Sequence, residues 1–226
     1  MFAADYRRIA RENLRGKWPL AIGVGILANI LGGLLIGNDF FAELEFRFDN
    51  DDLKNAGEYL ITLFSAHGLS IGITSTLNLL HFILGGVIQL GYAKFLMKQH
   101  NHQDAVVNDL FSYFDHFGTG FCQQLLRNIY TALWSLLFIF PGIVASYRYA
   151  MTPYILAENP NLTASEAINA SKHMMYGHKW RLFCLDISFI GWNILCGLTA
   201  NIGFIALNPY TNAARTAFYR DLQANR

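Results

Sequence analysis

The chain has 226 residues, of which 53% are of hydrophobic type and 15% are charged, against roughly 25% charged in an average soluble domain. The formal net charge is only +1, and no nucleic-acid partner is expected. The three cysteines, Cys122, Cys184 and Cys196, lie in or beside apolar segments without a CxxC, which excludes a recognisable disulfide framework or zinc site and makes them small core residues.

The first segment carries Phe2, Tyr6, Ile9 and Ala10 at helical spacing before Gly16, the pattern of a short amphipathic helix. Arg7, Arg8, Arg11, Arg15 and Lys17 precede an apolar run, Trp18–Gly37. A signal peptide would place its charges similarly, but the run is too long for its apolar region and no A-x-A-like site follows. It reads as a retained first span. An acidic segment with only Arg47 and Lys54 as basic residues leads to the second apolar run, Leu69–Ala93, which ends at Lys94 and Lys98. Both runs reach the ~20 residues that a helix needs to cross the hydrocarbon core. Inside the second, Asn78 and His81 share a helix face and Gln89 extends a polar stripe, predicting hydrogen bonds between helices; a proton or substrate path is the sharper alternative. Gly23, Gly25, Gly32, Gly33, Gly85 and Gly86 suit close helix packing rather than phosphate binding. His100-x-His102 with Asp104 reads as a solvated loop before it reads as a metal site.

A second stripe, Val107, Leu110, Phe111, Phe114 and Phe117, precedes Gly118 and Gly120. The apolar segment 123–157 that follows contains Pro141–Gly142. A tight turn is predicted there, with Ile143–Ala157 running back as a short arm kinked at Pro153 and ended at Glu158–Pro160. Next, Thr163-x-x-Glu166 fits a capping box, and Ala164, Ala167, Ile168, Ser171, Met174 and Met175 form a helical stripe before Gly177. The apolar run Leu182–Ile205, with Asp186 as its one charge, is expected to turn near Asn201–Gly203.

Basic residues collect on the cytoplasmic side of membrane proteins. A turn at Pro141–Gly142 puts thirteen of the seventeen basic residues inside, including Lys172, Lys179, Arg181, Arg215, Arg220 and Arg226. A single crossing by residues 123–157 would move three of them outside and leave four spans. The expectation is therefore an all-α polytopic membrane helix bundle: six membrane helices in three hairpins, short cytoplasmic amphipathic helices, and both termini cytoplasmic. Residues 1–226 form one integral membrane domain, with units 1–98, 99–160 and 161–226. "LRGKWPL" and "MYGHKWRL" resemble one another where two units enter the membrane.

The strings "LFIFPGI", "YILAENP", "EAINASKHMMYGHKWRLF", "SFIGWNIL" and "NPYTNAARTAFYRDL", in this order and spacing, resemble the bacterial integral-membrane family called domain of unknown function 975. The resemblance covers about Gly85 to Leu222. It implies a polytopic protein of the bacterial cell membrane and brings no catalytic or ligand residues with it.

Ionisable groups inside a membrane are costly and usually partnered. Arg127 and Asp186 each lie just inside the same boundary and are expected to pair. Arg148 is deeper on the short arm, between Tyr147 and Tyr149, and is expected to reach an interface or backbone carbonyls. No G-x-S-x-G, H-E-x-x-H or Walker-like string is present, so no enzyme and no cofactor is expected. The function expected is a non-enzymatic packing, scaffold or accessory role, with membrane lipids, a membrane-protein partner or a second copy as partners. The alternative is a transporter of a small solute or ion, with a cavity around His81 and Arg148.

Overall fold

The computed structural model describes residues 2–32, 73–137, 139–198 and 203–224. The acidic segment with Arg47 and Lys54, Gly33 and the turn residues 199–202 lie outside them. The described residues are all-α, with no strand: α1 Ala3–Leu14, α2 Trp18–Gly32, α3 Ile73–His100, α4 Phe117–Leu137, α5 Ile139–Arg148, α6 Thr152–Glu158, α7 Ala164–Met174, α8 Lys179–Ile187, α9 Ile190–Leu198 and α10 Phe204–Ala224, with 3-10 turns at Val107–Phe111 and Phe114–His116. Among them, one helix is long and apolar enough to cross a membrane, over Leu80–His100; Trp18–Gly32 is apolar but shorter.

Three segments begin with the same local device. The backbone N–H of Phe2 donates to Asp5 Oδ2 at 2.9 Å, that of Val106 to Asp109 Oδ2 at 2.9 Å, and that of Thr163 to Glu166 Oε2 at 2.8 Å. Each carboxylate, three residues on, satisfies a donor that the start of a helix leaves open. At Thr163 the box is reciprocal, with Glu166 N–H returning to Oγ1 at 3.4 Å. Bonds from the Thr163 hydroxyl and backbone hold the Glu166 carboxyl below its ordinary range. Two of these segments also end alike. Gly16 and Gly177 both take φ +79, the left-handed conformation that only glycine adopts at little cost. A new helix starts two residues later, at Trp18 and at Lys179.

The three starting segments pack in a cycle. The Val107–Phe111 turn lies on α3, α7 lies on α4 and α6, and α1 lies on α10. Each rests against helices of the segment before it, and the first rests against the last. The buried stripe of α7 is the predicted one: Ala164, Ala167, Ile168, Ser171, Met174 and Met175 are all buried. In α1, Tyr6, Ala10 and Leu14 are buried, but Phe2 is exposed, because it is the N-cap residue and lies before the first helical turn. The middle stripe differs more. Leu110 is buried while Val107, Phe111 and Phe114 are exposed, since the segment forms 3-10 turns whose three-residue period does not sustain an α-helical face. Gly118 and Gly120 fall inside the first turn of α4 and do not end the preceding segment.

The chain does reverse between residues 123 and 157. A Cβ built on Gly142 would stand 2.9 Å from Ser135 Cα, whereas residues seven apart in an unbroken helix are separated by about 10 Å along its axis. The rings of Tyr130 and Tyr149 are likewise 5.9 Å apart. Pro141 and Gly142 both lie inside α5, with Pro141 in its first turn, where its missing N–H leaves no bond unmade. The reversal therefore does not fall at Pro141–Gly142. The return is broken in two, α5 and α6, and Pro153 lies in the first turn of α6 rather than kinking a continuous arm. The last hairpin uses the same closure: a Cβ on Gly203 would stand 3.0 Å from Cys196 Cβ, again seven residues away.

Backbone contact also sets the centre. A Cβ on Gly86 would stand 2.2 Å from Gly120 O, and one on Gly91 would stand 2.0 Å from Leu110 O. Both obstacles are main chain and cannot rotate away. Gly91→Ala should therefore destabilise the protein by about 1–3 kcal/mol, the usual cost of overpacking. Gly118→Ala, with nothing within 4 Å of the new methyl, should change stability by only about 0.5 kcal/mol. Thermal unfolding of the two variants side by side checks the difference.

Candidate functional site

The candidate site is built where α1, α8 and α10 meet. The buried stripe of α1 brings Tyr6 edge-on to Phe218, with ring centroids 5.4 Å apart. α8 enters from Gly177 and supplies Arg181. Its guanidinium lies 6.0 Å from the centroid of the Tyr6 ring and 5.7 Å from that of Phe218, a distance at which a cation is attracted to a ring face. Both Arg181 and the Tyr6 hydroxyl, at 2.6 Å, donate to Asp221 Oδ2, and Arg181 also bonds to the Tyr6 oxygen.

Burial works against the Asp221 charge, but the bonds from Tyr6 and Arg181 outweigh it and hold the carboxyl below its ordinary value. Burial first, and then the bond to Asp221, push the Tyr6 phenol up. The group can hold a fixed charge and tie three helices together. It offers no nucleophile beside a base.

Similar contacts extend across this end of the molecule. Asp186 Oδ1 accepts from Arg215 Nη2 at 3.0 Å and Nε at 3.2 Å. Glu158 accepts from Tyr219 at 2.7 Å, and from Arg220 and Gln223. Lys98 meets Asp109 at 2.5 Å. Arg7 Nη1 donates to Ser188 O at 3.1 Å, and Tyr210 donates to Arg7 O at 3.3 Å. Among the described residues, no three His, Cys, Asp or Glu side chains converge as metal ligands. His100 faces Asn13 at 2.8 Å, while His102 and Asp104 are exposed.

The residues singled out in the sequence do not form one site. Asp186 is in the charged network with Arg215, a residue that the sequence reading counts only as a cytoplasmic charge. Arg127, half-buried on α4, stands near enough to Arg215 for the two cations to repel. Arg148 ends α5; its carbonyl accepts from Ser171 Oγ at 3.0 Å, and among the described residues its guanidinium meets no carboxylate. His81 lies 2.9 Å from Ile30 O. A carbonyl only accepts, so Nε2 carries the proton and joins α3 to α2. Gln89 is half-buried; Asn78 lies in α3, and its side chain is outside the described residues. Sequence reasoning missed Tyr6, Arg181 and Asp221 as a group. The signal available was Tyr6 on the apolar face of α1, whose hydroxyl would need a partner once buried.

Residues 140–226 match the model of a family described as "Protein of unknown function (DUF975)". The match bears out the resemblance for the C-terminal part of the chain, which contains Arg181, Asp186, Arg215 and Asp221. No curated protein and no solved structure matches the chain.

The network fixes a pH dependence. The depressed Asp221 contributes stability that is present above the unfolded carboxyl value, about 3.9, and is lost as pH falls through its folded value. The raised Tyr6 contributes stability that is present below about 10 and is lost as pH rises through its folded value. Asp221→Asn should lower stability at neutral pH by about 1–3 kcal/mol and flatten the acid limb of an unfolding-versus-pH curve. Tyr6→Phe should flatten the alkaline limb.

Proposed function

We propose that the chain is a multi-pass protein of the bacterial cytoplasmic membrane with a non-enzymatic packing, scaffold or accessory role. Its membrane helices are the arms of three hairpins, six in all, and its charged end, termini included, faces the cytoplasm. The observation that carries this reading is an inverted surface. Away from the charged network, the outer faces of the helices are apolar: Ile30 on α2 is 65% exposed, Leu133 on α4 55%, and Ile194 on α9 61%, with Leu80, Trp134, Trp192, Leu195 and Ile205 beside them in kind. A soluble monomer rarely exposes so many large apolar side chains, and lipid would cover them.

At the charged end, the exposed large side chains are chiefly aromatic. Tyr176 is 82% exposed and Trp180 is 70% exposed, where α8 begins, and Phe111 and Phe114 are exposed on the 3-10 turns. Aromatic residues of this kind sit at the headgroup level of membranes. Asp109, Glu158, Asp186 and Asp221 there are answered by cations and hydroxyls, and this supports a packing role for them over turnover.

A second reading, passage of a small solute or ion, rests on a separate observation. Gln99, Gln123 and Thr152 are buried, and their side-chain polar atoms, like the Tyr92 hydroxyl, meet no hydrogen-bond partner among the described residues. Flux through proteoliposomes that falls in Gln123→Leu would favour it.

For the first reading, the protein should stay with membranes through alkaline carbonate extraction. In a cysteine-free background, Asn169→Cys, exposed on α7, should resist an impermeant thiol reagent in intact cells and react after permeabilisation. Release by carbonate would refute membrane insertion, and ready labelling in intact cells would refute the orientation.

A further inference from the structure

The outer face of α1 is the strongest unassigned surface. Tyr6, Ala10 and Leu14 bury one side of the helix. Arg8, Arg11 and Arg15 follow at spacings of three and four, so they stand together on the other side, and all three are exposed. With Glu12 they line an open depression of about 260 Å³. Arg8 makes only an exposed 4.0 Å contact with Asp5; among the described residues, Arg11 and Arg15 have no carboxylate within ion-pair distance. Four other cations of this end differ. Lys98, Arg181, Arg215 and Arg220 are all spent on carboxylates. Three guanidiniums against Glu12 and the 4.0 Å contact of Asp5 leave this face with surplus positive charge. Lys17 and Trp18 follow directly, and α2 begins at Trp18, so the face sits where the chain meets the membrane.

Resting on the membrane placement above, we propose that this face docks the phosphodiester headgroups of anionic phospholipids. The planar fork of arginine matches two phosphate oxygens at once, and guanidiniums on successive turns can hold neighbouring headgroups. Lipid is favoured over a soluble anion because the face is followed within three residues by Trp18, where the apolar helix α2 begins, and anionic headgroups are concentrated at that level of a membrane. Glu12 has a defined part in this assignment: it opposes the bound phosphate.

The test uses the full-length protein in detergent micelles. Native mass spectrometry counts retained lipid, and thermal unfolding is followed with added phosphatidylglycerol, phosphatidylcholine or inorganic phosphate. Phosphatidylglycerol should be retained over phosphatidylcholine, with a preference of about fivefold for each arginine engaged. The triple variant R8Q/R11Q/R15Q should lose that preference while unfolding at the parent temperature in phosphatidylcholine, since the three side chains are exposed. Glu12→Gln should strengthen the preference, a change that a merely structural helix would not produce. Equal retention of the two lipids, an unchanged preference in the triple variant, or full reproduction of the stabilisation by inorganic phosphate would overturn the proposal. Failure of the membrane placement would show separately, as release of the protein by carbonate.

Discussion

The carboxylate of Asp221 is the point on which the two ends of the chain converge. It accepts from Tyr6, near the start of the chain, and from Arg181 on α8. Its own helix carries Phe218, on which Tyr6 packs. Without it, Arg181 would be a half-buried cation over two aromatic rings, and the Tyr6 hydroxyl would lose its acceptor. A polar group taken out of water costs more when it is unpaired than it returns when it is paired. The geometry of α1, α8 and α10 therefore has little freedom. Asp186–Arg215, further down α8 and α10, repeats the constraint between the same two helices.

The other half of the architecture is held by the opposite means. Where α3 meets α4 and the Val107–Phe111 turn, side chains are absent and backbones touch, at Gly86 against Gly120 and at Gly91 against Leu110. Close backbone approach gives dispersion contacts and depends on small residues, the usual device between helices that have no water to exclude. The same economy closes the hairpins, where Gly142 abuts Ser135 and Gly203 abuts Cys196. The charged end fixes which helices neighbour one another, and the glycine contacts fix how near they come.

Much of this was legible in the sequence. The Thr163–Glu166 box, the α7 stripe, the stop at Gly177 and the ending at Asn159 are local, and local rules find them. The hairpin was legible too, through the count of basic residues, but its turn was placed at Pro141–Gly142 because the proline was read as a breaker. Proline is equally at home in the first turn of a new helix, and that is where it sits. The 3-10 character of Val107–Phe111 was not legible, since three apolar residues in a row of five suit either helix type. The Asp186–Arg215 contact and the joining of Asp221 to Arg181 and Tyr6 were hidden for a different reason. The partners lie 29, 40 and 215 residues apart in sequence, and no spacing rule connects residues joined only by the packing of whole helices.

The cyclic order of the packing has a consequence for how the protein is made. A chain grows from its N-terminus at roughly 5–20 residues per second, and α1 emerges first. Its seat is α10, and the Tyr6–Asp221 contact spans 215 residues of chain. The two later starting segments can settle at once, because α3 precedes the Val107–Phe111 turn and α4 and α6 precede α7. α1 cannot. Its apolar stripe has to wait until α10 has been made, and the ring shuts only then. Closure of the ring thus depends on α10: a chain that stopped before Phe204 would leave α1 without its seat.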